Sequence, residues 1–132
     1  MMTMRRAIGF GLRAATLGLM LVGHALATDV GHYVLGNTAA KTPGKVQPGL
    51  LLLGGGDRNF DAMHWFMKQA GNGHIVVLRA SQAGEIGEEF FHAVGGIFSV
   101  ETFVFSDRDA ATEPKILATL KRADGILSLI PI

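Results

Sequence analysis

The chain has 132 residues, a formal net charge of +1 at pH 7 and no cysteine. This length allows a single domain. The near-zero charge, with no basic cluster beyond residue 27, excludes the electrostatic footprint of a nucleic-acid-binding protein. The lack of cysteine excludes a disulfide-stapled scaffold and a thiolate nucleophile.

The first 27 residues have the pattern of a secretory signal peptide. Arg5 and Arg6 supply a positive n-region, an apolar stretch covers residues 7–22, and Ala25-Leu26-Ala27 fits the small-x-small cleavage pattern. Arg13 and the glycines at 9, 11, 18 and 23 leave an uninterrupted apolar core shorter than the roughly 20 residues that a membrane span needs. We therefore predict export to the periplasm or medium, with no stable membrane span, over the alternatives of a membrane anchor or a buried helix. The arginine pair leaves both the general secretory and the twin-arginine routes open.

The next segment, residues 28–48, has the composition of a mobile leader or linker. It contains three glycines and two prolines and shows no sustained apolar period. From residue 49 onward the pattern changes to alternating strand and helix candidates. The predicted organisation is therefore a signal peptide at 1–27, a flexible leader at 28–48 and an α/β domain at 49–132.

The first predicted strand of the domain is a run of four leucines at residues 50–53, called the leucine segment below. A short apolar run between glycines is typical of a buried parallel strand. The glycines that follow it permit a tight turn beside a ligand. Apolar residues at helical spacing then predict a helix from Phe60, with Asn59 or Asp57 as its N-cap and the Gly71-Asn72-Gly73 segment at its end.

Three further strands and two further helices are predicted in the rest of the chain. The strands are 74–78, 100–105 and 125–130, and the helices are 85–94 and 112–122, with Pro114 in the first turn of the second. Strands separated by helices of this length require right-handed crossovers. The sequence therefore predicts an α/β fold in which about four parallel strands alternate with three helices that cover both faces of the sheet.

Three polar or glycine-rich segments follow the first three predicted strands. They are residues 54–57, 79–82 and 106–109. Ligands bind at the carboxyl edge of the strands in open α/β sheets, so each segment is a candidate for lining one pocket. The alternative for 106–109 is a solvated capping turn.

The glycine segment supplies the predicted ligand-binding residues, which are Gly54, Gly55, Gly56 and Asp57. Its backbone N–H groups and the following helix N-terminus suit a small anion or an oxyanion. The segment has neither the Walker spacing and lysine nor the pattern G-x-G-x-x-G, so a nucleotide is not predicted. The alternative is a tight strand-to-helix turn without a ligand.

No catalytic residue, metal site or cofactor is predicted from these motifs. Ser81 follows a predicted strand, but it is not framed as G-x-S-x-G and no sequence argument places a histidine beside it. Its alternative role is to cap a helix or line the pocket. The histidines do not have metal-ligand spacing, and they stand at positions 24, 32, 64, 74 and 92.

The joint order of four motifs resembles the N-terminal part of the cyanophycinase-like serine peptidase family. The motifs are residues 50–57, 76–81, 100–102 and 123–126, so the resemblance covers about residues 49–126. That family is related in fold to α-aspartyl dipeptidase and to class I glutamine amidotransferase domains. The resemblance implies a flavodoxin-like three-layer parallel sheet. It also implies a serine nucleophile, assisted by a histidine, that hydrolyses peptide or isopeptide bonds without a metal.

The sequence departs from that family where the catalytic residues are expected. The family's Gly-Gly-Asp/Asn-Gln segment and its Gly-x-Ser-Ala-Gly turn have no counterparts here, so only Gly54, Gly55, Gly56 and Asp57 carry over as pocket positions. One hypothesis is an inactive, truncated member of a secreted peptidase lineage with an incomplete sheet. The alternative is a non-catalytic α/β module that binds a small ligand or a partner. Both leave the last strand as an open apolar edge that favours self-association.

The signal-peptide pattern predicts that the exported protein begins near Thr28. The N-terminus of protein recovered from the periplasm or medium, determined by mass spectrometry, tests this prediction. Exported protein that retains Met1 would contradict it.

Overall fold

A four-stranded mixed sheet forms the centre of the fold in the computed structural model, which describes residues 30–81 and 85–129. Its strands lie in the spatial order β1-β3-β2-β4. Strand β2 runs parallel to both of its neighbours, β3 and β4, whereas β1 runs antiparallel to β3. The strands are β1 (Val30–Gly36), β2 (His74–Arg79), β3 (Ser99–Phe105) and β4 (Gly125–Ser128).

Three helices connect the strands, each beginning close to a predicted position. They are α1 (Phe60–Gln69), α2 (Glu85–Glu88), which continues as a π-helical turn (Glu89–Val94), and α3 (Pro114–Arg122). The carboxamide oxygen of Asn59 accepts a hydrogen bond from the backbone N–H of Ala62 at 3.0 Å, which confirms the predicted N-cap of α1. Pro114 opens α3, where its missing N–H costs little.

The helices cover both faces of the sheet and form two cores. Alternate side chains of β2 point to opposite faces, so Ile75 and Val77 join one core while Val76 joins the other. Helix α1, α2 and the π-helical turn pack on the first face, and α3 packs on the second. The predicted α/β class with helices on both sides of the sheet is confirmed.

The all-parallel sheet expected for a flavodoxin-like arrangement is not what these strands form. Strand β1 pairs with β3 antiparallel, in a register from Val30 opposite Phe105 to Gly36 opposite Ser99. It lies within the segment predicted as a flexible leader, where glycines and the lack of an apolar period obscured it. One of its half-buried positions carries a histidine, His32, which Glu101 and Phe103 of β3 contact.

The leucine segment does not form a strand, which makes the sequence-based prediction for residues 50–53 wrong. Both edges of β2 are already occupied, by β3 on one side and β4 on the other. A further strand would have to join the outside of the sheet. Three of the four leucines are instead exposed to solvent, at positions 50, 52 and 53.

A buried carboxylate joins β1, β3 and α3. The Glu101 side chain accepts a hydrogen bond from His32 Nε2 at 3.0 Å, with that nitrogen assigned as protonated, and its other oxygen accepts one from the Arg122 guanidinium. The His32 ring also stacks on Phe103, with centroids 4.4 Å apart. Only 4% of Glu101 is exposed, so these partners replace the water that the charge has lost.

We predict that Arg122→Met lowers the free energy of unfolding by about 1–3 kcal/mol, because it removes a charged hydrogen-bond partner from a buried carboxylate. Lys121→Met is the matched control, since Lys121 is exposed on the same helix turn; we expect it to change the free energy by less than about 0.5 kcal/mol. Urea denaturation of the two variants measures the difference. Equal effects would contradict a stabilising role for the Glu101 network.

Candidate functional site

The predicted glycine segment does not follow a strand, since the leucine segment before it is not part of the described sheet, and it precedes α1. Positions Gly54, Gly55 and Gly56 have no other atoms within 4 Å of where a side chain would begin, and Asp57 is exposed. Gly56 has a φ of +118°, a conformation that favours glycine. Because the leucine segment is outside the sheet, the structure does not bring these four residues to the cavity described next. Their ligand-binding role stays a prediction.

The other two predicted strand-end segments do meet, and they line a cavity of about 480 Å³. Strands β2 and β3 are parallel neighbours, with Arg79 opposite Val104, so their carboxyl ends reach the same edge of the sheet. Helix α3 supplies the remaining wall. The lining residues are Leu78, Arg79, Ala80, Phe105, Ser106, Asp107, Arg108, Ala111, Ile116 and Leu120.

The loop that forms one side of this cavity is fixed by local hydrogen bonds. The Asp107 carboxylate accepts from the backbone N–H of Ala110 at 2.9 Å and begins a short 3-10 helix, Asp109–Thr112. The Thr112 hydroxyl donates to the Asp109 carbonyl at 2.8 Å. Ala110 itself is fully buried, which anchors the turn to the domain. The capping turn that was the alternative interpretation of residues 106–109 is therefore present, and it also lines a cavity.

The cavity combines apolar walls with a positive charge. Its aliphatic and aromatic surface comes from Leu78, Phe105 and residues of α3, while Arg79 and Arg108 supply two guanidinium groups. Asp107 contributes one opposing charge, and one of its oxygens is engaged in capping. A small organic anion with an apolar body matches this combination.

A serine and a histidine pair at the opposite edge of the sheet, at the amino ends of β2 and β3. His74 Nδ1 lies 2.7 Å from the Ser99 hydroxyl oxygen, and His74 Nε2 lies 2.7 Å from the carbonyl oxygen of Ala40. Since a carbonyl can only accept, Nε2 carries the proton and Nδ1 accepts from the Ser99 hydroxyl. Sequence reasoning had no signal for this pair, because the two residues are 25 positions apart in different strands.

This serine–histidine pair is closed to substrate and lacks the third group of a catalytic triad. Ser99 is completely buried, and His74 is nearly so. The Asp124 carboxylate accepts from the backbone N–H of His74 at 2.8 Å and from the Thr42 hydroxyl at 2.7 Å, but it does not contact the imidazole. In a triad, the carboxylate would orient the histidine ring. The arrangement instead holds the loop after β1 against the sheet.

The remaining predicted candidates lie apart from one another. Ser81 is exposed just beyond β2 and does not line the cavity. His64 Nε2 lies 2.9 Å from the Val94 carbonyl oxygen, and His92 lies 3.1 Å from Glu88 on an exposed helix face. Among residues 30–81 and 85–129, no three histidine, aspartate or glutamate side chains group so as to hold a metal ion.

Comparison with known proteins found no matching family model, no matching curated protein and no matching solved structure. The resemblance to cyanophycinase-like peptidases therefore stays a prediction. Within the part of the chain that the structure describes, no helix is long and apolar enough to cross a membrane. The predicted signal peptide, residues 1–27, lies outside that part.

We predict that a serine-directed fluorophosphonate does not label the protein, because Ser99 is inaccessible and Ser81 has no histidine within hydrogen-bonding distance among the described residues. In-gel fluorescence of the labelled chain, beside an active serine hydrolase treated identically, tests this. Ser81→Ala and Ser99→Ala are the matched variants. Labelling of the unsubstituted chain that either variant abolishes would overturn the prediction.

Proposed function

We propose that the domain is a non-catalytic module that binds a small organic anion with an apolar body. The observation that carries this proposal is the cavity at the carboxyl ends of β2 and β3, where apolar walls adjoin Arg79 and Arg108. Its position agrees with the general rule that open α/β sheets bind ligands beyond the carboxyl ends of their strands. A volume of about 480 Å³ is within the range of small-molecule sites.

The two kinds of surface in the cavity have different roles in this proposal. Burial of a ligand's hydrocarbon part against Leu78, Phe105 and Ile116 supplies most of the driving force, at about 25 cal/mol per Å². A guanidinium presents its N–H groups in a planar fork that matches a carboxylate or phosphate. The arginines therefore set the orientation and charge preference of the ligand, and the walls set its size.

We also propose that the chain belongs to the exported lineage suggested by its resemblance to cyanophycinase-like peptidases. The order of the four motifs quoted above and the α/β class with helices on both faces of the sheet support this proposal, although the first motif does not form the strand that the resemblance implies. Peptide hydrolysis is not proposed for this chain, because the Ser99–His74 pair within its described residues is buried. Anion binding is thus the function that the geometry favours.

Hexanoate is a suitable probe of the cavity, because it joins a carboxylate to a short apolar chain. We predict that hexanoate perturbs the backbone amide resonances of Ala80 and Ala111, which line the cavity, and binds more tightly than the uncharged hexanamide. Titration monitored by ¹H–¹⁵N NMR measures both affinities. If hexanoate leaves these resonances unchanged at millimolar concentrations, or if hexanamide binds equally well, the proposed function is wrong.

Arg108→Met tests the charge preference, since Arg108 lines the cavity and is exposed, so we expect its substitution to leave the fold intact. We expect hexanoate affinity to fall about three- to tenfold, which corresponds to about 0.7–1.4 kcal/mol, while hexanamide affinity changes little. Lys68→Met is the charge-matched control, because Lys68 lies on α1 at the opposite face of the sheet. An equal loss of affinity in both variants would indicate a general charge effect rather than a site.

A further inference from the structure

The leucine segment has the features of a strand without a partner. Leu50 and Leu52 are 79% and 83% exposed, and Leu53 is also exposed. No residue of the segment makes a hydrogen bond with any part of the chain that the structure describes. Four consecutive apolar residues without charge, proline or hydrogen-bonding partners form a surface that favours pairing with another strand.

A second unpaired backbone lies at the edge of β4. This strand pairs with β2 along one side only, and it carries neither a charged residue nor a proline that would block pairing along the other. Ile126 in this strand is 47% exposed. Among the strands that the structure describes, β4 therefore ends the sheet with an apolar edge.

A groove of about 480 Å³ runs beside the edge of β4. One side is formed by Gly125 and Ile126, and the other by residues 46–49, which immediately precede the leucine segment. Trp65, which is 42% exposed, lies in the groove. Gln69 also lines it, and its side-chain oxygen is buried without a hydrogen-bond partner among the described residues. An entering strand would supply backbone N–H groups within a groove that contains this acceptor.

We propose that the leucine segment of one copy pairs with the β4 edge of a second copy, and that the second copy returns the same contact. The two elements match in length at four residues each, and each is uncharged. Residues 46–49 place the start of the leucine segment beside the β4 edge of its own chain. A single two-fold axis can therefore satisfy both contacts at once, as an isologous dimer requires.

The area available to this contact fits a weak dimer. Full burial of one leucine side chain removes on the order of 100 Å² of apolar surface from water, and burial of a tryptophan removes roughly twice that. With the exposed fractions of Leu50, Leu52, Leu53, Ile126 and Trp65, two copies would bury roughly 700 Å² of side-chain surface, to which the paired backbones add. The side-chain part is below the roughly 1,000 Å² that a stable specific interface buries, so even with the paired backbones we expect weak, concentration-dependent association rather than a permanent dimer.

The absence of cysteine from the chain allows a direct crosslinking test on the full chain. The Leu52→Cys and Ile126→Cys variants, each with a single substitution, are mixed under mild oxidation. We expect a covalent heterodimer on non-reducing gels, at least about fivefold more abundant than with the control pair of Leu52→Cys and Tyr33→Cys. Tyr33 is similarly exposed but lies on β1, at the other edge of the sheet.

Two outcomes of the crosslinking test would overturn the proposal. Equal yields from the test pair and the control pair would mean that association does not use the β4 edge. A doubly substituted Leu52→Cys/Ile126→Cys chain that closes only within itself, and runs as an oxidised monomer, would mean that the leucine segment pairs with its own β4. Crosslinking of the mixed single variants cannot arise from that intramolecular closure.

Sedimentation equilibrium provides a test that does not depend on strand register. We expect Leu52→Asp to raise the dimer dissociation constant at least about tenfold, while Tyr33→Asp changes it less than about twofold. Leu52 makes no hydrogen bond and is exposed, so its substitution leaves the fold intact; far-UV circular dichroism verifies this. Monomeric unsubstituted protein, or an association that Leu52→Asp does not weaken, would contradict the proposal. Neither result bears on hexanoate binding, which uses the carboxyl ends of β2 and β3.

Discussion

The fold depends on the pairing of β2 along both of its edges. Strand β2 hydrogen-bonds in parallel to β3 on one side and to β4 on the other, so it is the central strand of the described sheet. Its side chains alternate between the two cores: Ile75 and Val77 pack in one, and Val76 packs in the other. Because neither edge of β2 is free, no other segment can reach it. A further strand can join the described sheet only at its outer edges, and the leucine segment pairs with neither.

The two ends of β2 have opposite chemical character. At the amino end, His74 is buried, and its imidazole and backbone are held by Ser99, Ala40 and Asp124. At the carboxyl end, Leu78 and Arg79 face a cavity that a ligand can enter. The same strand therefore joins a closed polar anchor to an open site. The buried Ser99–His74 pair stabilises the fold at the amino end of β2. The carboxyl end, where the cavity lies, has no serine–histidine pair among the described residues.

The sequence predicted correctly those elements whose formation depends on interactions between residues close together in the chain. The N-cap at Asn59, the proline that opens α3 and the β-branched run of β2 each act within a few residues, and each of these elements is confirmed. The cavity segments 79–82 and 106–109 were predicted from the ends of β2 and β3, and residues of both segments line it. These predictions required only the approximate ends of two parallel strands.

The predictions that failed depended on competition between distant segments. The leucine segment has strong strand character, yet β3 and β4 occupy both edges of β2, and the segment does not pair with the outer edge of β4. Strand β1 has weak local character, yet His32 gains a hydrogen bond to Glu101 and a stacked contact with Phe103 across 69 and 71 positions of sequence. Hydrophobic periodicity predicts neither the exclusion of the leucine segment nor the inclusion of β1, because it describes one segment and not the other segments that compete for the same strand edge. Because the leucine segment is not a strand of the described sheet, Gly54, Gly55, Gly56 and Asp57 do not follow a strand end, and their ligand-binding role stays a prediction.

The proposed ligand cavity and the proposed pairing edge lie at different places on the sheet. The cavity uses the carboxyl ends of β2 and β3 together with α3, whereas the groove uses the beginning of β4 together with α1. Ligand binding can favour the dimer only if it interacts differently with the single and paired forms of the chain. Two elements connect the two places: β2 contacts β4 along one edge and presents Leu78 and Arg79 to the cavity, and α3 lines the cavity and leads through residues 123–124 into β4. The structure shows a single arrangement of these elements, so we expect the two sites to act independently of each other.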